Sequence, residues 1–181
     1  MTSKPLDFVI IGAQKAGTTS MFRYLQDHPR IHLPPEKELP FFSRDDLFQQ
    51  GWPRFVATYF HDADPKALWG TASPQYLADP RVPQRLSAAA PDIRLIALLR
   101  NPIDRAYSHY NMSRRRGMET RSFDAAIDAL LQPQVLAECR AAIPPDYAEG
   151  YAAANAEVSR YYLVWGEYGR LLNGFLEHYP P

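Results

Sequence analysis

Hydrophobic and polar positions along the chain form blocks that predict strands and helices in turn. Residues 8–11 and 93–99 are apolar at nearly every position, which is typical of parallel strands covered on both faces. Residues 68–71 predict a third, shorter strand. Strands that alternate with helices predict an α/β protein, a layered fold with a central parallel sheet flanked by helices.

The helical segments are marked by apolar residues at helical spacing and by capping residues. Asp79, Asn101 and Ser122 are each predicted to be an N-cap, the first two because proline follows at the first helical position. The aromatic residues after position 158 are expected to be core rather than a stacking surface, and residues 30–50 are expected to be irregular. The predicted helices span residues 18–27, 52–59, 80–89, 102–116, 123–131 and 158–176.

Length and composition exclude several classes of protein. The 181 residues are expected to form a single domain, residues 1–181. Twenty basic residues balance twenty acidic ones, so we expect no nucleic-acid partner. One cysteine, Cys139, excludes an internal disulfide, and the five histidines lack the spacing of metal ligands, so no metal is expected. No apolar run suits a membrane span or signal peptide, which predicts a cytoplasmic protein without a membrane segment.

Residues 12–20, GAQKAGTTS, follow the first predicted strand directly and predict an anion-binding loop. Two glycines allow a tight curl in which backbone N–H groups point inward, and a lysine supplies a full positive charge. Three hydroxyl residues open the next helix, whose N-terminus favours phosphate. The candidate donor-binding residues of this loop are Gly12, Gln14, Lys15, Ala16, Gly17, Thr18, Thr19 and Ser20.

The position of the lysine separates two families of phosphate-binding loops. The nucleotide-triphosphate pattern GxxxxGK[ST] places lysine after the second glycine, where this chain has Thr18. Lys15 instead lies inside the loop, which resembles the 5′-phosphosulfate loop of sulfotransferases that use 3′-phosphoadenosine 5′-phosphosulfate (PAPS). The resemblance implies a P-loop-like fold, PAPS as the sulfuryl donor, and Lys15 as the group that neutralises the departing oxygen.

A second motif, LLRNPIDRAYSHY, begins at the end of the strand predicted over 93–99. Arginine and serine at positions 100 and 108 resemble the family's 3′-phosphate site, because a guanidinium and a hydroxyl suit a terminal phosphate. The resemblance therefore makes Arg100 and Ser108 donor-binding residues. His109 is expected to be a neighbour of this site or a packed residue, and residues 114–116, three arginines, could meet an anionic glycan or form a solvated helix end.

Two further segments resemble the acceptor side of carbohydrate sulfotransferases. Residues 35–42, PEKELPFF, are similar to the K-E-x-x-F-F segment, in which the glutamate is the proposed base; carried over, that residue is Glu38, with Glu36 as the alternative. Ser73 and Tyr76 belong to a segment similar to S-P-x-Y, which borders the acceptor cleft. Ala72 departs from the charged residue that many relatives carry there. The substrate candidates are thus Glu38, Ser73 and Tyr76.

Together the motifs identify the chain as similar to PAPS-dependent sulfotransferases, in their heparan-sulfate-like branch, over about residues 6–179. The resemblance implies transfer of a sulfuryl group to a hydroxyl or amine of an acceptor, most simply a carbohydrate, without a metal. It also implies that a C-terminal portion of the family's domain is missing. Two alternatives remain open: a P-loop kinase or NTPase, and a degenerate, non-catalytic nucleotide-binding domain.

Overall fold

The structure is a computed structural model, and it describes residues 4–144 and 158–180. Single turns of 3₁₀ helix occur at Tyr76–Ala78, Val158–Arg160 and Val164–Gly166. The regular elements are, in chain order, β1 (Phe8–Gly12), α1 (Thr18–Gln26), β2 (Ile31–His32), α2 (Asp45–Phe48), α3 (Trp52–Tyr59), β3 (Leu68–Ala72), α4 (Val82–Ala89), β4 (Arg94–Ala97), α5 (Pro102–Arg115), α6 (Phe123–Leu130), α7 (Pro133–Ala141) and α8 (Tyr168–Leu176).

The four strands form one parallel sheet in the order β2-β3-β1-β4. Alternate residues of β1 enter two apolar clusters: Val9 and Ile11 pack with residues of α3, α4 and α8, whereas Phe8 and Ile10 pack with residues of α1 and β2. Helices therefore cover both faces of the sheet, which explains the continuous apolar run of β1. The expected α/β layered fold with a central parallel sheet is confirmed.

A third apolar cluster lies away from the sheet, between α5, α6, α7 and residues 161–165. His109 is fully buried in this region and stacks on Trp165, with ring centroids 5.4 Å apart. Burial, followed by the positive charges of Arg105 and Lys15, holds the pKa of His109 well below its ordinary value. Cys139 is buried in α7, as a packed residue.

Several boundaries follow the sequence closely. Asn101 caps α5 as predicted, because its side-chain oxygen accepts hydrogen bonds from the N–H groups of Ile103 (3.0 Å) and Asp104 (3.3 Å). Ser122 caps α6 through the N–H of Ala125. Residues 30–50, expected to be irregular, contain the two-residue strand β2 and the single-turn helix α2.

Two predicted helices were wrong in extent. Asp79 does not cap α4: its carboxylate binds the N–H and guanidinium of Arg81, which forms a turn and delays the helix to Val82. The helix predicted over 158–176 is broken, and only Tyr168–Leu176 is α-helical. The buried Arg105 guanidinium binds the carbonyls of Tyr161 and Tyr162, and the Gly166 N–H donates to the Leu163 carbonyl rather than to the Tyr162 carbonyl that a continuous α-helix would use.

Candidate active site

The loop between β1 and α1 is held by backbone hydrogen bonds to the chain just after β4. The N–H of Leu98 donates to the carbonyl of Gly12 (2.8 Å), and the N–H of Ala13 donates to the carbonyl of Leu98 (2.8 Å). Gly12 is closely packed, since a Cβ there would lie 2.7 Å from the Cβ of Leu77. At Gly17, φ is 95°, a conformation that glycine adopts without the penalty of a side chain. The chain then turns directly into α1.

The loop opens into a cleft of about 330 Å³ at the carboxyl ends of the strands. It contains groups from four separate regions of the sequence: the 12–20 loop, the segment before α2, the turn after β3, and α5 with its C-terminal end. The residues that line it are Gln14, Lys15, Gly17, Thr18, Thr19, Glu38, Pro74, Ser108, Met112 and Arg116.

Lys15 is the central cation of this cleft. Its backbone is left-handed, with φ of 70°, and such a conformation costs a non-glycine residue on the order of 1–3 kcal/mol. Burial, then the positive charges of Arg115, Arg116 and Arg100, lower the pKa of Lys15, whereas Glu38 opposes the shift. A partly desolvated ammonium among like charges is well suited to an anionic ligand, because an anion would offset both costs.

The start of α1 presents further groups that suit an anion. Gly17 offers no side chain to cap the helix and the first turn contains no acidic residue, so its N–H groups are open to a ligand. Thr19 is exposed and lines the cleft, while Thr18 lines it but is largely buried. Gln14 contributes a buried side-chain oxygen that has no hydrogen-bond partner among the described residues.

Not every predicted loop residue lines the cleft. Gly12 and Ala16 serve the turn and the packing beneath it: Gly12 is buried, and Ala16 packs against the main apolar cluster. Ser20 is exposed on α1, outside the lining.

Arg100 and Ser108 approach the loop from α5 and the connection before it. The Arg100 guanidinium donates to the carbonyl of Lys15 (3.3 Å), and Ser108 lines the cleft with Lys15. Tyr168 donates its hydroxyl to the Arg100 carbonyl (2.9 Å), which ties this backbone to α8. The structure thus brings the two predicted phosphate-binding motifs into contact.

Glu38 enters the same cleft from a distant part of the chain. It too is left-handed, with φ of 69°, and its N–H donates to the carbonyl of Ala72 at the end of β3 (2.8 Å). Its carboxylate pairs with the neighbouring ammonium of Lys37, with 2.5 Å between Nζ and Oε1. Glu36, the alternative base, is exposed and is not among the lining residues. Glu38 is therefore the glutamate of this segment that faces Lys15.

Ser73 and Tyr76 do not face the cleft. Both are fully buried, and both side chains hydrogen-bond to the carbonyl of Leu39. The expectation that these side chains border an acceptor is therefore corrected for this structure, in which neighbouring Pro74 is the lining residue. The physical reason is that the chain turns inward after β3, so that the hydroxyls of Ser73 and Tyr76 donate hydrogen bonds to the buried carbonyl of Leu39.

Ser108 and residues 114–116 were candidates from the sequence, but Met112, on the same face of α5, was missed. Ser108, Met112 and Arg116 all line the cleft, and their spacing of four residues places them along one side of the helix. This periodicity was available in the sequence once Ser108 was chosen. Of the two interpretations of residues 114–116, the structure places Arg116 at the cleft, while Arg114 donates to the carbonyl of Thr120 (2.8 Å).

Within residues 4–144 and 158–180, no three His, Cys, Asp or Glu side chains are grouped so that they could hold a metal ion. In the same part of the chain, no helix is both long and apolar enough to cross a membrane.

The comparisons with known proteins agree with this geometry. Residues 5–180 match the family described as "Sulfotransferase domain", and the chain belongs to that family. In a crystal structure of a sulfotransferase from Alicyclobacillus acidocaldarius the fold recurs with a TM-score of 0.72 and 29% identity, over 98% of this chain and 70% of that one.

Curated relatives match a smaller part of the chain. A membrane-associated sulfotransferase, kil1, from Dictyostelium discoideum is 33% identical over 107 residues, which is 59% of this chain and 23% of that protein. Heparan sulfate glucosamine 3-O-sulfotransferase 3B1 from Mus musculus is 29% identical over 121 residues, 65% of this chain and 29% of that protein. The matched region thus spans between a fifth and a third of the length of these relatives.

Proposed function

We propose that this chain binds PAPS in the cleft and transfers its sulfuryl group to a hydroxyl or amine of an acceptor, most simply a carbohydrate. The observation that carries the proposal is the convergence of Lys15, Ser108 and Glu38 on one cleft. Membership in the sulfotransferase family supports the reaction class. The names of the heparan sulfate relatives support a carbohydrate acceptor. We also propose a cytoplasmic location.

The donor set fits a nucleotide that carries phosphate at both ends. Lys15 and the first turn of α1 would hold the 5′ group, helped by the hydroxyls of Thr18 and Thr19. Arg100 and Ser108 would hold the 3′-phosphate, because a guanidinium binds phosphate through charge-assisted hydrogen bonds. When bound, PAPS supplies the sulfuryl group and a phosphate that can leave.

Each candidate residue then has a separate task. Lys15 keeps a positive charge inside the loop, where it stabilises an anion that forms as a bond breaks. Glu38 accepts the proton from the acceptor oxygen or nitrogen. Lys37 holds the carboxylate before the acceptor arrives, through the 2.5 Å ion pair. The fold keeps these groups at fixed positions, so that the chain contributes mainly orientation and charge.

The first test is a thermal-shift comparison without magnesium, using adenosine 3′,5′-bisphosphate and adenosine 5′-monophosphate. The two ligands differ only in the 3′-phosphate. At about 100 times its dissociation constant a ligand adds about 2.7 kcal/mol of stability. We expect a shift with the bisphosphate, a much smaller one with the monophosphate, and loss of this difference in Arg100→Gln. A shift with ATP and magnesium alone would instead support the kinase or NTPase alternative.

Transfer itself is tested by mass spectrometry. The protein is incubated with PAPS and, in turn, a heparan-type oligosaccharide, a simple alcohol and an amine. A gain of one sulfuryl group on an acceptor supports the proposal. Bisphosphate binding without transfer to any of them would support the degenerate, non-catalytic alternative.

A further inference from the structure

Two buried hydroxyl groups converge on one backbone carbonyl next to Glu38. Ser73 donates its hydroxyl to the carbonyl of Leu39 (2.9 Å), and Tyr76 donates to the same oxygen through a short hydrogen bond. The Tyr76 oxygen in turn accepts from the N–H of Phe42 (3.4 Å). Both side chains are fully buried, so these bonds are shielded from competition with water.

The shared carbonyl belongs to the residue that follows Glu38. On its other side, the Glu38 N–H donates to the Ala72 carbonyl (2.8 Å). The backbone of Glu38 is therefore tied on both sides to the turn after β3. Because Glu38 has a φ of 69°, a conformation unfavourable for a residue with a side chain, it persists only if the surroundings hold it there.

The aromatic ring of Tyr76 has a second, separable contribution. It packs edge-on against Phe42, with ring centroids 5.8 Å apart, inside the main apolar cluster. Burial raises the pKa of the Tyr76 hydroxyl far above that of an exposed tyrosine, so the group remains a donor at every working pH. A change from tyrosine to phenylalanine keeps the packing and removes only the donor.

We propose that Ser73 and Tyr76 are positioning residues for Glu38: their hydroxyls fix the Leu39 carbonyl and so aim the Glu38 carboxylate into the cleft. Neither residue touches the acceptor. The proposal rests on the assignment of Glu38 as the base. It explains why hydroxyl residues follow β3 although their side chains are closed to solvent.

The test combines Ser73→Ala and Tyr76→Phe with Glu38→Gln in a double-mutant cycle. Turnover is measured with whichever acceptor gains a sulfuryl group, and bisphosphate affinity is measured in parallel. In the protein that keeps Glu38, we expect the double variant Ser73→Ala/Tyr76→Phe to lower kcat about 10- to 100-fold. The reason is that a small misplacement of a reacting group lowers the rate by up to about 100-fold. Bisphosphate affinity should stay within about twofold. When Ser73→Ala and Tyr76→Phe are added to Glu38→Gln, kcat should not fall further.

A readout that needs no acceptor is amide hydrogen exchange followed by NMR. Loss of the two hydroxyls should speed exchange of the Glu38 amide at least about tenfold, since its partner segment is released. The matched control is Tyr179→Phe, which removes a tyrosine hydroxyl that donates to the carbonyl of Ala90 (3.2 Å), outside the cleft lining. It should leave both kcat and the exchange of the Glu38 amide unchanged. If the double variant does not fold, Tyr76→Phe alone is measured.

The outcomes separate this proposal from the proposed function. Unchanged kcat and Glu38 exchange in the hydroxyl variants, with an impaired Glu38→Gln, would overturn the positioning role alone. An equal fold-loss in both backgrounds would also overturn it, because the hydroxyls would then act independently of Glu38. Full turnover in Glu38→Gln would overturn the base assignment and this proposal with it.

Discussion

The segments that carry Lys15 and Glu38 reach the same cleft but are held there in different ways. Lys15 lies in a loop of a few residues between a strand and a helix. Backbone hydrogen bonds of Gly12 and Ala13 to Leu98 hold this loop, and a left-handed glycine at position 17 forms its turn. Glu38 lies in an irregular segment that is fixed mainly by side chains: the hydroxyls of Ser73 and Tyr76 bind the carbonyl of the next residue, and the Glu38 N–H donates to the Ala72 carbonyl. Both residues have a positive φ, 70° and 69°.

The Lys15 loop and the Glu38 segment should therefore respond differently to mutations elsewhere in the chain. A loop held by backbone hydrogen bonds is expected to retain its shape if side chains elsewhere change. The Glu38 segment depends on an apolar cluster in which Phe41 and Phe42 pack with Trp52, Phe55 and Tyr76. We therefore expect donor binding to be robust to distant mutations, and proton transfer to be sensitive to them.

The largest effect is expected for Glu38→Gln. Loss of the base should lower kcat by about 10²- to 10⁴-fold, while the bisphosphate affinity is retained because Glu38 belongs to the acceptor side. Steady-state kinetics and calorimetry measure the two quantities. Glu36→Gln, the same substitution at an exposed glutamate of the same segment, is the control and should have near-normal turnover. A loss of affinity in Glu38→Gln would remove the distinction between the two segments.

Lys15→Ala should lower turnover by about 10²- to 10³-fold, the usual cost of removing one group that stabilises developing charge. Unlike Glu38→Gln, it should also weaken bisphosphate binding, since Lys15 is on the donor side. Lys66→Ala, at an exposed lysine before β3, is the control. Near-normal turnover in Lys15→Ala would show that the cation of the loop is not needed for the reaction.

Gly17→Ala tests the local construction of the loop. At φ of 95° a Cβ is strained although it would meet nothing within 4 Å, so we expect a loss of about 1–2 kcal/mol in the free energy of unfolding. Gly117→Ala is matched, because φ is 71° and the space is equally open. Chemical denaturation should show similar losses in both, whereas bisphosphate affinity should fall only in Gly17→Ala. Equal affinity in both variants would contradict a binding role for the loop backbone.

The smallest effect is a shift in pH dependence. Arg115 is the second cause, after burial, of the lowered pKa of Lys15. Removing this like charge in Arg115→Gln favours the protonated amine and raises the pKa of Lys15. The alkaline fall in rate, where Lys15 loses its proton, should therefore move to higher pH. Arg114→Gln, on the same helical turn but not a cause of that shift, should leave the profile in place; identical profiles for both variants would contradict this cause.

Much of the fold could be predicted from local signals. The first strand, helices α1 and α3, and the caps at Asn101 and Ser122 depend on a residue and its near neighbours, and each prediction is confirmed. The N-cap predicted at Asp79 is wrong because two roles of its side chain compete. The carboxylate could cap a helix, but it binds Arg81 instead. The helix predicted over 158–176 is wrong in extent because its apolar spacing suits a helix, whereas the distant Arg105 binds the Tyr162 carbonyl and the Gly166 N–H turns to Leu163 instead.

For the site, the sequence by itself determined the loop around Lys15, the pairing of Arg100 with Ser108 as candidates, and Glu38 as a candidate base, because each signal lies within a short motif. Only the tertiary structure decided that Ser73 and Tyr76 face the protein interior, that Arg116 lines the cleft, and that Glu38 rather than Glu36 faces Lys15. These outcomes depend on which distant segment each side chain contacts in the folded chain, and a short sequence motif does not reveal such contacts.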